Sequence, residues 1–257
     1  MEPWAYTISG FVVGAIVGMT GVGGGSLMTP LLVLMFGVSP TTAVGTDLLY
    51  AAITKSGGAW VHAKRGGVDW RLVGLLASGS LPTSLATIGS IHLYAVDTEM
   101  LGRVITHSLG FALLLTALSI VFRDNIRRWA DRTLGFGATG APAAWVVITG
   151  AILGFLVTLS SVGAGAVGVT ALMLLAPALA TSRIVGSDIA HAVPLTLVAG
   201  LGHAITGSVD WMLLGSLIVG SLPGIWLGSH LSHLLPERAL RGLLASLLVL
   251  IGGKLAL

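Results

Sequence analysis

The sequence contains no cysteine and has few charged or aromatic residues. Of its 257 residues, 9% are charged and 6% are aromatic, whereas soluble domains carry about 25% charged residues. The absence of cysteine excludes disulfides, thiolate catalysis and cysteine-ligated metals. The seven histidines are scattered, and none has the His-Glu-x-x-His spacing of a zinc site. We therefore expect neither a metal nor a cofactor.

Apolar residues dominate what is present. They make up 54% of the chain, and the mean hydropathy is +0.96. This composition predicts an all-α integral membrane protein with about eight to ten membrane segments and almost nothing outside the bilayer. The net charge of +3 does not indicate nucleic acid, because the basic residues fall in short interhelical loops. No basic segment precedes the first apolar run, so we expect that run to belong to the mature protein.

The second half of the chain repeats the first. Gly45-Thr46-Asp47-Leu48 recurs as Gly186-Ser187-Asp188-Ile189, and Val68-Asp69-Trp70 recurs as Val209-Asp210-Trp211. Both matches have the same offset, which predicts a tandem duplication. The expected organisation is one transmembrane domain, with repeat 1 at about 4–122, a cytoplasmic linker at about 123–142 and repeat 2 at about 143–257.

Each repeat begins with a glycine-rich break between two apolar arms. The first break runs from Gly18 to Ser26, and the second runs from Ser160 to Gly165. Arms of about a dozen residues, 8–20 and 27–36 in the first repeat, are too short to cross about 30 Å of hydrocarbon at about 1.5 Å per residue. We therefore predict a re-entrant hairpin or a broken helix in each repeat. Three membrane helices should follow it, at about 41–63, 69–92 and 99–122 and at about 184–206, 210–232 and 236–256.

The positions of the basic residues in the loops distinguish between two possible topologies. If each glycine element returns to its own side, the repeats are inverted and both termini lie outside. The cytoplasmic loops then hold the linker arginines and Lys64, Arg65, Arg71, Arg183, Arg238 and Arg241, as the positive-inside rule requires. If each element is one broken crossing, the repeats are parallel and the last three of these arginines lie outside. We favour inverted repeats, a recurrent plan of secondary transporters.

Three segments carry a family resemblance. They are Gly18-x-x-Gly21-x-Gly23-Gly24-Gly25-x-x-x-x-Pro30, Ala43-Val44-Gly45-Thr46, and the turn from His62 to Asp69-Trp70. Together with the duplication, they resemble the TauE/SafE family of membrane permeases over nearly the whole chain. The resemblance implies a non-enzymatic transporter of sulfite or organosulfonates in the cell inner membrane.

The glycine breaks are the expected anion site. A broken helix frees backbone N–H groups, and the positive end of the helix that begins near Ser26 favours an anion. The expected substrate contacts are Gly21, Gly23, Gly24, Gly25, Ser26, Thr46, Gly163, Gly165 and Ser187. The alternative is that the glycines only allow helices to cross closely.

Four ionisable residues fall inside predicted membrane helices, where they are costly and usually face a cavity or a partner. We predict that Asp47, Asp188, Lys55 and His191 serve coupling or gating. One aspartate would bind a proton, and Lys55 would attract the anion or pair with Asp47. The alternatives are that the aspartates cap helix starts and that Lys55 extends toward the cytoplasmic surface.

Other residues of these types favour structural roles. His62 and His203 are expected to be hydrogen-bonded at the interfaces, and Asp69 and Asp210 to cap helices ahead of interfacial tryptophans.

Two other functions are alternatives to a coupled transporter. A passive anion channel is the runner-up, since only the aspartates and histidines indicate coupling. An intramembrane hydrolase using Ser26 and His191 is disfavoured, because no nucleophile elbow or orienting third group is present. The sequence Gly163-x-Gly165-x-x-Gly168 fits a dinucleotide fingerprint, but no strand precedes it. We therefore expect no catalytic residues; the expected partners are a small anion and the lipid bilayer.

Overall fold

The computed structural model describes residues 3–20, 25–93, 98–123, 125–126, 128, 140–231 and 237–256. Within these ranges the chain is helical and contains no strand, which confirms the predicted all-α class. The described residues form ten helices of ten or more residues: α1 Pro3–Thr20, α2 Gly25–Phe36, α3 Pro40–Lys64, α4 Trp70–Leu93, α5 Thr98–Val121, α6 Ala143–Ser160, α7 Ala166–Leu175, α8 Thr181–Ile205, α9 Trp211–Leu231 and α10 Glu237–Ala256.

Several of these helices suit a bilayer. Among the described residues, five segments are long and apolar enough to cross a membrane: Trp70–Leu93, Glu99–Val121, Ala143–Ser160, Thr181–Ile205 and Trp211–Leu231. Helix α3 matches α8 in length, at 25 residues each. It is less apolar than α8, and Lys55, whose place in α8 is taken by Thr196, contributes to this difference.

The first arm of the first glycine element is longer than predicted, whereas that of the second begins at Ala143, near the predicted residue 143. Helices α1 and α6 each have 18 residues, about 27 Å at about 1.5 Å per residue. Helix α1 begins at Pro3 rather than near residue 8, because proline is tolerated in a first helical turn and Trp4 to Thr7 extend the apolar run. The second arms, α2 and α7, have only 12 and 10 residues and are short, as predicted.

The most extensive helix packing joins the two predicted repeats. Helix α1 packs on α9, and its counterpart α6 packs on α4; α3 packs on α8, and α5 packs on α10. Each of these pairs contains one helix from 4–122 and one from 143–257. The two halves therefore interlock rather than folding side by side.

Glycines set how closely these helices approach. A Cβ added at Gly220 would lie 1.9 Å from the Thr7 carbonyl oxygen, and one added at Gly79 would lie 2.0 Å from that of Val147. Only a residue without a side chain fits at such a backbone-to-backbone contact. The tight-crossing role proposed as the alternative for glycine is therefore present at these positions outside the breaks, and also at Gly18 in the first break, where an added Cβ would lie 2.4 Å from the Ile225 carbonyl oxygen.

The contacts also give the relative helix directions. Gly10 lies against Leu217 and Gly14 against Ser221, so α1 and α9 run in the same direction. Gly45 near the start of α3 lies against His203 near the end of α8, whereas His62 near the end of α3 lies against Gly186 near the start of α8. Helices α3 and α8 are therefore antiparallel.

The turns after α3 and α8 are capped as predicted. Asp69 Oδ1 accepts from the Leu72 N–H at 3.1 Å, and Asp210 Oδ1 accepts from the Leu213 N–H at 2.9 Å. These carboxylates satisfy amide groups that the first turns of α4 and α9 leave unpaired. Asp69 also forms an ion pair with Arg183 at 3.7 Å, which ties the start of α8 to the start of α4.

Candidate substrate and coupling site

The two membrane aspartates lie inside continuous helices. Helix α3 begins at Pro40 and α8 at Thr181, so Asp47 and Asp188 lie about two turns from the helix starts. Their exposed fractions are 0% and 1%. Neither residue caps its helix, which removes the capping alternative and leaves two buried carboxylates to be explained by their surroundings.

Asp47 contacts the short arm of the first hairpin. The Thr29 hydroxyl on α2 donates to Asp47 Oδ2 at 2.5 Å, and the Ser161 hydroxyl lies close to the same carboxyl group. The other oxygen, Oδ1, is buried without a hydrogen-bond partner. One oxygen of this carboxylate is thus held by a charge-assisted bond, and the other has no hydrogen-bond partner.

Asp188 contacts the short arm of the second hairpin. Its Oδ1 packs so closely on Gly168 that a Cβ added there would lie 2.0 Å away. Gly168 is in the first turn of α7, and its own N–H donates to the Gly163 carbonyl at 3.0 Å. Asp188 Oδ1 is buried without a hydrogen-bond partner. The two aspartates therefore have equivalent places in the fold but different partners.

Lys55 links the two halves. Its ammonium donates to the carbonyl of Ala164, in the break of the second hairpin, at 2.8 Å. It interacts electrostatically with both carboxylates, more strongly with Asp188 than with Asp47. The side chain is directed toward the opposite repeat, so it does not extend to the surface as the alternative would require.

His191 and Tyr50 are equivalent in the duplication and both lie in this region. His191 Nε2 is 2.8 Å from the Ser80 hydroxyl, and its Nδ1 is buried without a hydrogen-bond partner. The Tyr50 hydroxyl also lacks one, although Ser221 lies near it. Unpartnered buried polar atoms are uncommon in proteins, and here they gather around the two aspartates.

The second break has the strained backbone that glycine permits. Gly163 has φ of 123° and Gly165 has φ of 141°, and Ser161 between the arms has φ of 57°. These angles turn the chain sharply between α6 and α7. Of the residues predicted in the first break, Gly21, Gly23 and Gly24 lie outside the described residues. Gly25 begins α2, and Ser26 is buried.

Thr46 and Ser187 make symmetric contacts at opposite ends of the α3–α8 pair. The Thr46 hydroxyl accepts from the Asp210 N–H at 3.1 Å, and the Ser187 hydroxyl accepts from the Asp69 N–H at 2.8 Å. Each residue therefore joins one repeat to the turn of the other. Their predicted contact with substrate stays a prediction.

The two histidines that were predicted to be structural are hydrogen-bonded or partly exposed to solvent. His203 is buried, and its Nε2 lies 3.0 Å from the Thr158 carbonyl oxygen. His62 is half-buried, and its carbonyl accepts from the Gly67 N–H at 2.8 Å. Neither is assigned to the coupling site.

Sequence reasoning missed several polar members of the cluster. Tyr50 and Ser80 could have been found from the duplication, because Tyr50 answers His191 and Ser80 answers Ser221. Thr29 and Ser161 gave no such signal, since a hydroxyl between apolar residues is common in membrane helices. The cluster thus combines two carboxylates, one ammonium, one imidazole and several hydroxyls.

Ionisable groups gathered inside a helical membrane protein, between helices of its two halves, are the organisation of a membrane transporter. A model of the family described as "Sulfite exporter TauE/SafE" matches residues 6–255. The chain belongs to this family, which confirms the resemblance seen in its sequence.

Named relatives agree with this assignment. The chain is 40% identical to "Probable membrane transporter protein YjnA" of Bacillus subtilis, over 96% of this chain and 97% of the relative. It is 27% identical to "Probable membrane transporter protein YdhB" of the same organism, over 90% and 91%. An archaeal relative, "Probable membrane transporter protein MJ0441" of Methanocaldococcus jannaschii, is 25% identical over 95% and 92%. No solved structure gave a significant match. The chain is thus a membrane transporter of the TauE/SafE family.

Proposed function

We propose that the protein is a permease of the cell inner membrane that moves sulfite or organosulfonate anions by alternating access. The observation that carries the proposal is the inward position of the half-buried Lys55, which donates to the Ala164 carbonyl at 2.8 Å and interacts with two buried aspartates. A cation at membrane depth marks the path of a charged substrate. The choice of a sulfur-containing anion follows the description of the family.

The chemistry of the site suits a sulfonate group. Such a group has a single negative charge spread over three oxygens and accepts several hydrogen bonds. The Lys55 ammonium offers the charge, and the hydroxyls of Thr29 and Ser161 lie beside Asp47. Ser26 is buried in the first turn of α2. The first turns of α2 and α7 add the positive ends of two helices. Gly163, Gly165 and the glycines of the first break would let the anion approach the backbone.

Helix directions support inverted repeats. The short turn after α8 makes α9 antiparallel to α8, and α3 is also antiparallel to α8, so α9 is aligned with α3. Helix α1 is parallel to α9 and is therefore aligned with α3 as well. Since only α2 lies between α1 and α3, α2 has to run back, as in a re-entrant hairpin. Two such hairpins of opposite orientation would let one repeat rock against the other.

Exchange across proteoliposomes tests the proposal. Vesicles loaded with an unlabelled anion are diluted into the same anion in labelled form, for sulfite, 2-hydroxyethanesulfonate and acetate in turn. We expect transient, saturable accumulation of the two sulfur anions and none of acetate. Equal flux of all three that never saturates would indicate a channel. No flux of any anion would contradict the proposal.

A further inference from the structure

The charges of the cluster do not balance. Asp47 and Asp188 are buried, at 0% and 1% exposure, and Lys55 is half-buried and interacts with both. Two negative charges and one positive charge leave one negative charge when all three groups are ionised. An uncompensated charge is costly inside a membrane. In that state the cluster would also repel an anionic substrate.

The two carboxylates already occupy the places where an anion would bind. Asp47 accepts from Thr29 near the start of α2, and Asp188 touches Gly168 in the first turn of α7. These are the positive ends of the two short helices. A substrate anion therefore has to compete with the protein's own carboxylates, unless one of them is first neutralised.

Asp188 is the carboxylate better placed to take up a proton. Asp47 holds a hydroxyl donor at 2.5 Å, which favours its ionised form. The one hydroxyl of α7, Thr170, corresponds to Thr29 in the register of the aspartates, but among the described contacts no hydrogen bond joins it to Asp188. The Gly168 N–H is also committed to Gly163. Lys55 is therefore the main partner of an ionised Asp188 in the described structure.

We infer that proton and anion bind this site together: Asp188 takes a proton, and the released Lys55 ammonium pairs with the anion. The inference rests on the proposed function. In the step, one proton leaves water and forms an O–H bond on an Asp188 carboxylate oxygen, and no other covalent bond changes. The Lys55–Asp188 attraction is exchanged for a Lys55–anion pair. Both ligands leave on the other side, so each monoanion crosses with one proton in the same direction.

The other ionisable groups of the cluster around Lys55 and Asp188 come from two helices. Helix α3 brings Asp47, Tyr50 and Lys55, and α8 itself brings His191. The described side chains of α2, α6 and α7 include no ionisable group. The ionisable residues of α4 and of the described part of α5 are exposed: Arg71, His92, Glu99, Arg103 and His107. His191 is therefore the competing proton acceptor of the described cluster, since its Nδ1 is buried without a hydrogen-bond partner.

The test measures proton uptake when the anion binds. Purified protein in detergent and weak buffer is titrated with methanesulfonate and with 2-hydroxyethanesulfonate, strong-acid anions that carry no titrating proton. A pH-sensitive dye reports proton uptake, and calorimetry gives the affinity at a series of pH values. We expect about one proton taken up per anion and an affinity that rises as pH falls, by up to about tenfold per pH unit.

Variants assign the proton to Asp188. Asp188→Asn should still bind the anion, with no proton uptake and an affinity that no longer depends on pH. His191→Gln should keep the uptake, and the exposed control Glu99→Gln should match the wild type in both measurements. If Asp188→Asn does not fold, the anion affinity of Lys55→Met is a second test. We expect that affinity to fall by about tenfold or more.

The outcomes separate the inference from the proposed function. Anion binding by the wild type without proton uptake overturns the inference and leaves the anion permease standing. Uptake that persists in Asp188→Asn or disappears in His191→Gln also overturns it. An absence of binding by both sulfonates, with sulfite also inactive in the exchange assay, overturns the two together.

Discussion

Asp47 and Asp188 occupy equivalent positions in the duplication but have different neighbours. Asp47 accepts from the Thr29 hydroxyl, whereas Asp188 packs against Gly168 and interacts with Lys55. Lys55 itself has no counterpart, since Thr196 stands at its place and bonds within α8 to the Ala192 carbonyl. The site is thus asymmetric although the fold repeats. Under the proposed coupling, this difference would let Asp47 keep its charge while Asp188 takes up and releases a proton.

Removing the Thr29 hydroxyl should weaken the first half of the site. Thr29 is fully buried, and Thr29→Val keeps its shape while deleting the donor to Asp47. A hydrogen bond to a carboxylate contributes about 1.5–3 kcal/mol, so a lower thermal unfolding midpoint in detergent is expected. Thr29→Ser keeps the hydroxyl and serves as the control. Equal midpoints for Thr29→Val and the wild type would show that this bond does not stabilise the fold.

The sequence predicts some of these residues and not others. Asp47, Lys55, Asp188 and His191 stand out because ionisable side chains are rare in membrane helices, and the structure brings all four together. Thr29 does not stand out, because its importance depends on the way α2 folds back toward α3. Thr46 and Ser187 were expected at the substrate, and the structure shows both in contacts with the turns of the opposite repeat.

At the scale of the helices, close crossings hold the molecule together. Helix α4 presents Gly79 to α6, and α9 presents Gly220 to α1, at equivalent positions of the duplication. Each glycine lies against a backbone carbonyl of the other repeat. Lipid supplies no hydrophobic drive between helices, so such close packing is a main source of association.

Methyl groups at these crossings should be destabilising, and nearby ones should not. Gly79→Ala and Gly220→Ala would place a Cβ 2.0 and 1.9 Å from a carbonyl oxygen. Overpacking costs about 1–3 kcal/mol, which should lower the unfolding midpoint. Gly74→Ala and Gly215→Ala are matched controls on the same two helices, because a Cβ at either meets nothing within 4 Å.

The two control variants should be unchanged or slightly more stable, since alanine favours a helix by about 1 kcal/mol over glycine. The packing account is wrong if all four variants unfold at the same temperature.

Sequence alone predicted these helices but not their packing partners. The first helix of each repeat, α1 or α6, packs on a helix of the other repeat. This pairing depends on long-range packing, and the pattern of apolar residues does not predict it.

The duplicated chain forms one interlocked molecule. Its largest interfaces all lie between the predicted repeats, so neither half has a complete core without the other. The antiparallel pair α3 and α8 lies at the centre, with the polar cluster beside it. Repeats of opposite orientation around a shared site are how secondary transporters open alternately to each side.

Single cysteines test this orientation, since the chain has none of its own. Lys64→Cys and Ile205→Cys stand at equivalent ends of α3 and α8, both exposed. With inverted repeats, a membrane-impermeant maleimide should label Ile205→Cys in intact cells and Lys64→Cys only in inside-out vesicles. Labelling of both positions from the same side would indicate parallel repeats.

The most direct test of the whole account is anion exchange by Gly168→Ala. The added methyl would lie 2.0 Å from Asp188 Oδ1 and so would displace the carboxylate beside the proposed anion path. We predict that exchange of 2-hydroxyethanesulfonate falls by about tenfold or more, while Gly74→Ala exchanges at the wild-type rate. Wild-type exchange by correctly folded Gly168→Ala would contradict a transport site between the two hairpins.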